Sequence, residues 1–266
     1  MSKKSDVLLE LYNICKQRND FIFDNNLVKD VSQAIGFGNP FDATKIDNKS
    51  KLPQYFLEND IAIIHLGNGK HKFIKGVDLV YHTFEPLQEK IEWKYKKSLL
   101  NEYNSSESNI LSVANNQRIL HQFLFGKDTE FDDIDISQRP KTYFPHRTKT
   151  NFDYYFGKDL QVHLERIQIE IDLTIEMNGI IGVFEGKNGS PDNFAIYQIY
   201  HPFLYYYNAN QFSGIQGKIK NIYGIYVVKT VENKSTFINL WKYTFDNPYD
   251  ITSIKFIKSS SYQLIY

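Results

Sequence analysis

The sequence has one cysteine in 266 residues, Cys15. It has no partner for an intrachain disulfide and none for a cysteine zinc site. Cys15 therefore reads as a small core residue on a helix. Net charge is also missing, since 31 Lys and Arg balance 31 Asp and Glu. That removes the global basic signature of a nucleic-acid binder and leaves local patches as the only route to such binding. There is no apolar run long enough to cross a bilayer, and the first twenty residues carry no small-residue cleavage site of a secretory signal. The chain is expected to be soluble and cytoplasmic, with no membrane partner. A phosphate-cradling P-loop is excluded as well, because Gly67 to Lys70 lacks the GxxxxGK[ST] spacing and is followed by His71. No internal repeat is found.

What is present is ordinary globular material, 42% hydrophobic and 23% charged, with length for one large domain or two small ones. Helical spacing of Val7, Leu8, Leu11, Ile14 and Cys15 predicts a first helix over 6–18. Asn25-Asn26 offers a cap to a second helix over 27–35, closed by Gly36. A turn at Gly38-Asn39-Pro40 and a short helix at 51–57 follow. Strands at 61–66 and 72–74 enclose a tip bearing Asn68, Lys70, His71 and Lys72, a hairpin with basic residues. Helices followed by such a hairpin suit a winged-helix-like DNA-recognition module over 1–85. Residues 86–135 read as a helical connector, with a charged helix over 85–103 carrying Lys94, Lys96 and Lys97, and another over 108–125 before an acidic loop.

Residues 138–151 form a basic, proline-containing loop whose Arg139, Lys141, Arg147 and Lys149 suit DNA phosphates or a guanine edge. A further helix near 159–166 carries Glu165. Beyond it, residues 168–187 organise the second half. Ile169, Ile171, Leu173 and Ile175 alternate with Glu170, Asp172, Thr174 and Glu176, and a second run puts Val183, Glu185 and Lys187 on one face. Asn178-Gly179 between them predicts a two-residue hairpin turn. In that register Met177 faces Ile180, Asp172 faces Glu185 and Glu170 faces Lys187. Directly opposed carboxylates, roughly 5 Å apart at Cβ, repel unless a cation lies between them. An aromatic helix over 194–207 then leads to a strand at 222–229, a crossover that makes this strand parallel to the second hairpin strand. Strands at 236–245 and 251–257 complete an α/β (α+β overall) catalytic region over 136–266.

Asp172 and Glu185, with the Gly186 carbonyl, suit Mg²⁺, a hard cation taking oxygen ligands, and Lys187 suits activation of a water. Glu165, Glu170 and Gln198 are auxiliary candidates. The sequence D172-x12-E185-G186-K187, on a hairpin followed by helix and strand, resembles the PD-(D/E)XK nuclease superfamily, with Ile171 where that family often has proline. Segments 37–53, 65–76 and 140–157 look like those of type II restriction endonucleases. The resemblance implies a mixed β-sheet core flanked by helices and Mg²⁺-dependent cleavage of double-stranded DNA at a specific short sequence. It further implies a homodimer, with a cognate DNA methyltransferase as functional partner. Two other readings stay open: a repair or junction-resolving nuclease using the same site without sequence preference, and a non-catalytic winged-helix DNA-binding regulator.

Overall fold

Alternating and helical spacings in this chain build a mixed α+β structure. The computed structural model describes residues 2–94, 99, 106–126, 135–189, 191–212 and 214–265. Helix α1 (Lys3–Arg18) is capped by Ser2 and buries Val7, Leu8, Leu11 and Cys15. After strand β1 (Ile22–Asp24), α2 (Asn25–Ile35) starts on the Asp24 carboxylate, which accepts from the Asn26 and Leu27 N–H groups. The cap thus lies one residue before the expected Asn25-Asn26 pair. The expected turn at Pro40 opens a short helix α3 (Pro40–Ala43), where the missing proline N–H costs nothing. Helix α4 (Gln54–Glu58) precedes the hairpin of β2 (Ile61–Gly67) and β3 (Lys70–Lys75), and β1 joins on the far side of β3.

Helix α5 (Val77–Val80) and strand β4 (Tyr81–Thr83) lead into the segment expected to be a connecting helix. Its described part contains strand β5 (Glu89–Lys94), paired in parallel with the last strand of the chain. Half-buried Ile91 and Trp93 alternate there with exposed Lys90, Glu92 and Lys94, a period of two that overrides the helix-compatible composition. Lys96 and Lys97 lie outside the described residues, as does most of the acidic loop. Two helices, α6 (Glu107–Asn116) and α7 (Ile119–Phe125), replace the single one expected, broken where Arg118 adopts φ 64°. The basic loop is largely strand, β6 (Lys141–Tyr143) and β7 (His146–Phe156), and the helix expected around Glu165 is part of β8 (Leu160–Ile171), in which Val162 and Leu164 are buried between exposed neighbours.

Next come β9 (Leu173–Met177), β10 (Ile180–Asn188), β11 (Asn193–Ala195), α8 (Tyr197–Phe212), β12 (Asn221–Glu232), β13 (Ser235–Phe245) and β14 (Ile254–Ile265). The Asn-Gly turn behaves as expected: Met177 faces Ile180, and the register runs unbroken to Leu173 opposite Phe184. Strand β12 is parallel to β10, as the crossover through α8 requires. The strands form a five-stranded sheet in the order β1-β3-β2-β8-β7, a seven-stranded sheet in the order β5-β14-β13-β12-β10-β9-β6, and the pair β11-β4.

One ribbon ties the two large sheets together. The pairings of β6 with β9 and of β7 with β8 share a single offset, from Lys141 opposite Glu176 through His146 opposite Ile171 to Thr150 opposite Ile167. At that offset Pro145 would face Asp172. Proline has no N–H to give, so the ladder breaks there, and the chain leaves the five-stranded sheet at Ile171 and enters the seven-stranded one at Leu173. Asp172 is the corner between them.

A large core joins α1, α2, the β2-β3 hairpin, β7, β8 and α8 to one face of the seven-stranded sheet. The five-stranded sheet therefore crosses the division expected near residue 85. A second core packs α6 and α7 on the opposite face, against Phe184, Ile225, Leu240 and Tyr262. The N-terminal hairpin docks where β2 meets β8 in parallel at Gly67 and Glu165. Gly67 has φ 81°, and a methyl there would lie 1.9 Å from the Glu165 carbonyl oxygen. Gly67→Ala is expected to lower unfolding free energy by about 2–4 kcal/mol through strain and lost docking, measured by urea denaturation against the wild-type chain.

Candidate active site

Strand β10 alternates across its sheet. Ile181 and Val183 join the core on the α8 side while Phe184 joins the core beneath α6 and α7. Glu185 and Lys187 consequently share the α8 side. The Lys187 ammonium lies 2.7 Å from Glu185 Oε1 and 3.4 Å from Glu107 Oε1. Gln198 on the first turn of α8 donates its amide to the same Glu185 oxygen at 2.7 Å, and its own oxygen accepts from the Tyr226 hydroxyl at 2.8 Å. Tyr226 is the β12 residue directly opposite Glu185.

Asp172 reaches this group from the sheet corner, its Oδ2 accepting from the Gly186 N–H at 3.2 Å. The side chain thereby bonds β10 just past the point where the β9-β10 ladder ends. The expected opposition of Glu170 and Lys187 does not occur. Strand β8 belongs to the other sheet, and Glu170 pairs instead with Arg147, whose Nε lies 3.1 Å from its carboxylate. Gly186 has a steric reason to be glycine: a Cβ there would approach the Glu107 carbonyl oxygen and Leu111 to 3.1 Å.

Burial dominates the electrostatics of Glu185, pushing its carboxyl up to about 7. The charge of Lys187 opposes the shift, and Asp172 and Glu107 add to it. Burial alone would pull Lys187 down, but Glu185, Glu107 and Asp172 outweigh it and hold the ammonium above the ordinary lysine range. Three carboxylates face one cation, an excess of negative charge. Among the described residues no three His, Cys, Asp or Glu side chains are grouped to hold a metal. The donors present, Asp172 and Glu185, are hard oxygens, and Mg²⁺ binds through one or two carboxylates and keeps several waters. The set fits that ion, whose charge would offset the excess.

These groups line a cleft of about 870 Å³. Of the residues singled out in the sequence, the cleft gathers Asp172, Glu185, Lys187, Glu170, Gln198, Lys149, Asn68, Lys70 and His71. His71 is buried, its Nδ1 2.8 Å from that of His65 and its Nε2 2.8 Å from the Asn25 amide oxygen. Burial lowers the two histidines to about 3 and about 4, so both are neutral at physiological pH. Asn68 donates to Glu165, outside the carboxylate group, at 3.1 Å. Arg139, Lys141, Arg147 and Lys72 lie elsewhere than on the cleft lining. Four residues missed in the sequence belong to the arrangement: Glu107 and Tyr226 around Glu185, and Lys45 and Arg166 on the cleft. Only the parallel register of β10 and β12 could have pointed to Tyr226, and nothing local marked the others.

Residues 76–263 match the family described as a domain of unknown function (DUF6997). The chain belongs to the DUF6997 family. Residues 6–73 match a second family of the same description, DUF6996, and the two matches meet at the end of β3. Both contribute to the cleft, Asn25, Lys45, His65 and Lys70 from the first and the carboxylate group from the DUF6997 region. No curated protein and no solved structure matches the chain.

The raised Glu185 carboxyl sets a pH dependence. Between the usual 4.5 and about 7 the folded chain holds a proton that the unfolded chain has lost, so this contribution to stability falls as pH rises through that window. Four histidines whose values burial lowers add stability as pH rises over the same range, so the signal is the difference between chains. In metal-free denaturation from pH 4 to 8 the wild type is expected to lose stability relative to Glu185→Gln as pH rises through that window. Parallel pH profiles would remove the assignment.

Proposed function

We propose that this protein is a Mg²⁺-dependent endonuclease that cuts double-stranded DNA at a specific short sequence, as a type II restriction endonuclease with the PD-(D/E)XK arrangement. The observation that carries the reading is the meeting of Asp172, Glu185 and Lys187 on the floor of a cleft whose lining also carries exposed cations. Asp172 and Glu185 would hold the ion, which supplies a polarised water and charge stabilisation at the phosphate. Lys187 stays protonated among its carboxylates, which suits it to orienting the attacking water and balancing charge at the scissile phosphate rather than to taking a proton. Gln198, held by Tyr226, fixes the rotamer of Glu185.

The rim supports a DNA substrate. Lys45, Lys70, Lys149 and Arg166 are exposed on the cleft lining, and among the described residues none of them has a carboxylate partner. The N-terminal order of helices with a β1-β3-β2 sheet supports the winged-helix-like reading, with Lys70 next to the hairpin tip. Action as a homodimer on a symmetric site, protected by a cognate methyltransferase, follows from the same resemblance.

Digestion of unmethylated plasmid DNA with Mg²⁺ or with EDTA, followed by sequencing of the ends, tests this directly. Discrete metal-dependent fragments are expected. A smear favours a nuclease without sequence preference, and binding without cutting favours a regulator. Lys187→Ala and Asp172→Ala are each expected to slow cutting at least about 100-fold while DNA binding persists; cutting at the wild-type rate would remove the site. Lys45→Ala and Lys149→Ala are expected to weaken binding evenly across sequences, each lowering the slope of log affinity on log salt by about 1 in a titration.

A further inference from the structure

We infer that Arg166 reads a guanine of the DNA site through the two acceptors on its major-groove edge, an inference that rests on the nuclease reading above. The β7-β8 ladder runs regularly to Thr150 opposite Ile167 and resumes at Phe152 opposite Leu164. Asn151 alone therefore faces both Glu165 and Arg166, which is a β-bulge. Bulges bend a strand and re-aim a side chain, and they concentrate next to functional sites. Arg166 occupies the left-handed region at φ 50°, where a long L side chain persists only if its surroundings impose it. They do so here, because the Asn151 side-chain oxygen accepts the Arg166 N–H at 2.8 Å.

Its partner on the bulge does not neutralise it. Glu165 is engaged by the Asn68 amide at 3.1 Å and lies 3.7 Å from His163 Nε2. The guanidinium is thus carried on a strand rather than a loop, beside the docked hairpin tip and on the lining of the cleft that holds Lys187. Phosphates need only a flexible point charge, which Lys45, Lys70 and Lys149 supply. A planar fork whose backbone origin is set by a bulge suits bidentate recognition, and arginine on guanine O6 and N7 is the commonest specific contact in the major groove.

The test is selection from a random-sequence duplex library by the full-length chain in EDTA, comparing the parent with Arg166→Gly and Arg166→Lys. Glycine accepts the positive φ, so Arg166→Gly is expected to melt no lower than the parent, separating recognition from folding. The parent is expected to select a defined site. Both variants should lose preference at one G·C pair per half-site by roughly 5- to 150-fold, with binding to unrelated DNA little changed. A uniform loss across all sequences with a shallower salt slope would make Arg166 a phosphate contact and overturn the inference, as would an unchanged selected site. A parent that selects no sequence overturns the inference together with the site-specific reading.

Discussion

A carboxylate withdrawn from water beside two others is the constraint on which this arrangement depends. Glu185 is held by one ammonium and one amide, at 2.7 Å each, and its carboxyl is nonetheless pushed up to about 7. Replacing those partners with apolar groups would leave an unpaired buried charge, the costliest outcome for a polar group in a protein interior. The neighbouring elements are arranged around that need. Helix α8 starts where Gln198 meets Glu185, Tyr226 stands across the ladder to hold Gln198, and the glycine at 186 leaves room for α6 to bring Glu107 close. An excess of negative charge gathered from a strand, a helix and a sheet corner is poor for folding and good for capturing a cation, the usual tension at a functional site.

The second constraint is the corner at Asp172. A single antiparallel ribbon serves both sheets, and the absence of a proline N–H at position 145 interrupts it opposite that residue. The interruption lets the strand change sheets and frees the Asp172 side chain to bond the Gly186 N–H on the neighbouring strand. Because the five-stranded sheet also contains β1, β2 and β3, the N-terminal hairpin and the carboxylates line one cleft. The cleft is lined from both sides of that corner, by β2, β3 and β8 of the five-stranded sheet and by β10 of the seven-stranded one.

Local pattern carried far in this chain. The Asn-Gly turn, the alternation on each side of it and the parallel crossover to β12 were all legible, since a two-residue turn fixes register and a strand–helix–strand unit fixes strand direction. Composition misled where charge concealed period. Residues 89–94 carry lysines and glutamates that helices favour, yet Ile91 and Trp93 at alternate positions make a strand once β14 offers an edge. The segment around Glu165 failed for the same reason, with buried Val162 and Leu164 setting the period. The reach of the hairpin register was overestimated at Glu170, because nothing local announces that a strand will change sheets.

The sequence by itself determined the α+β class, the Asn178-Gly179 hairpin and the placement of Glu185 and Lys187 on one face of one strand. These follow from backbone sterics and side-chain period within about twenty residues. Only the tertiary structure decided that Asp172 meets them at a corner between two sheets, that Glu107 and the Tyr226–Gln198 pair complete their surroundings, and that Lys45 and Arg166 share their cleft. Each of these depends on contacts between segments far apart in the chain, set by how two cores and a shared ribbon pack. No periodicity within a strand encodes which distant residue will face it.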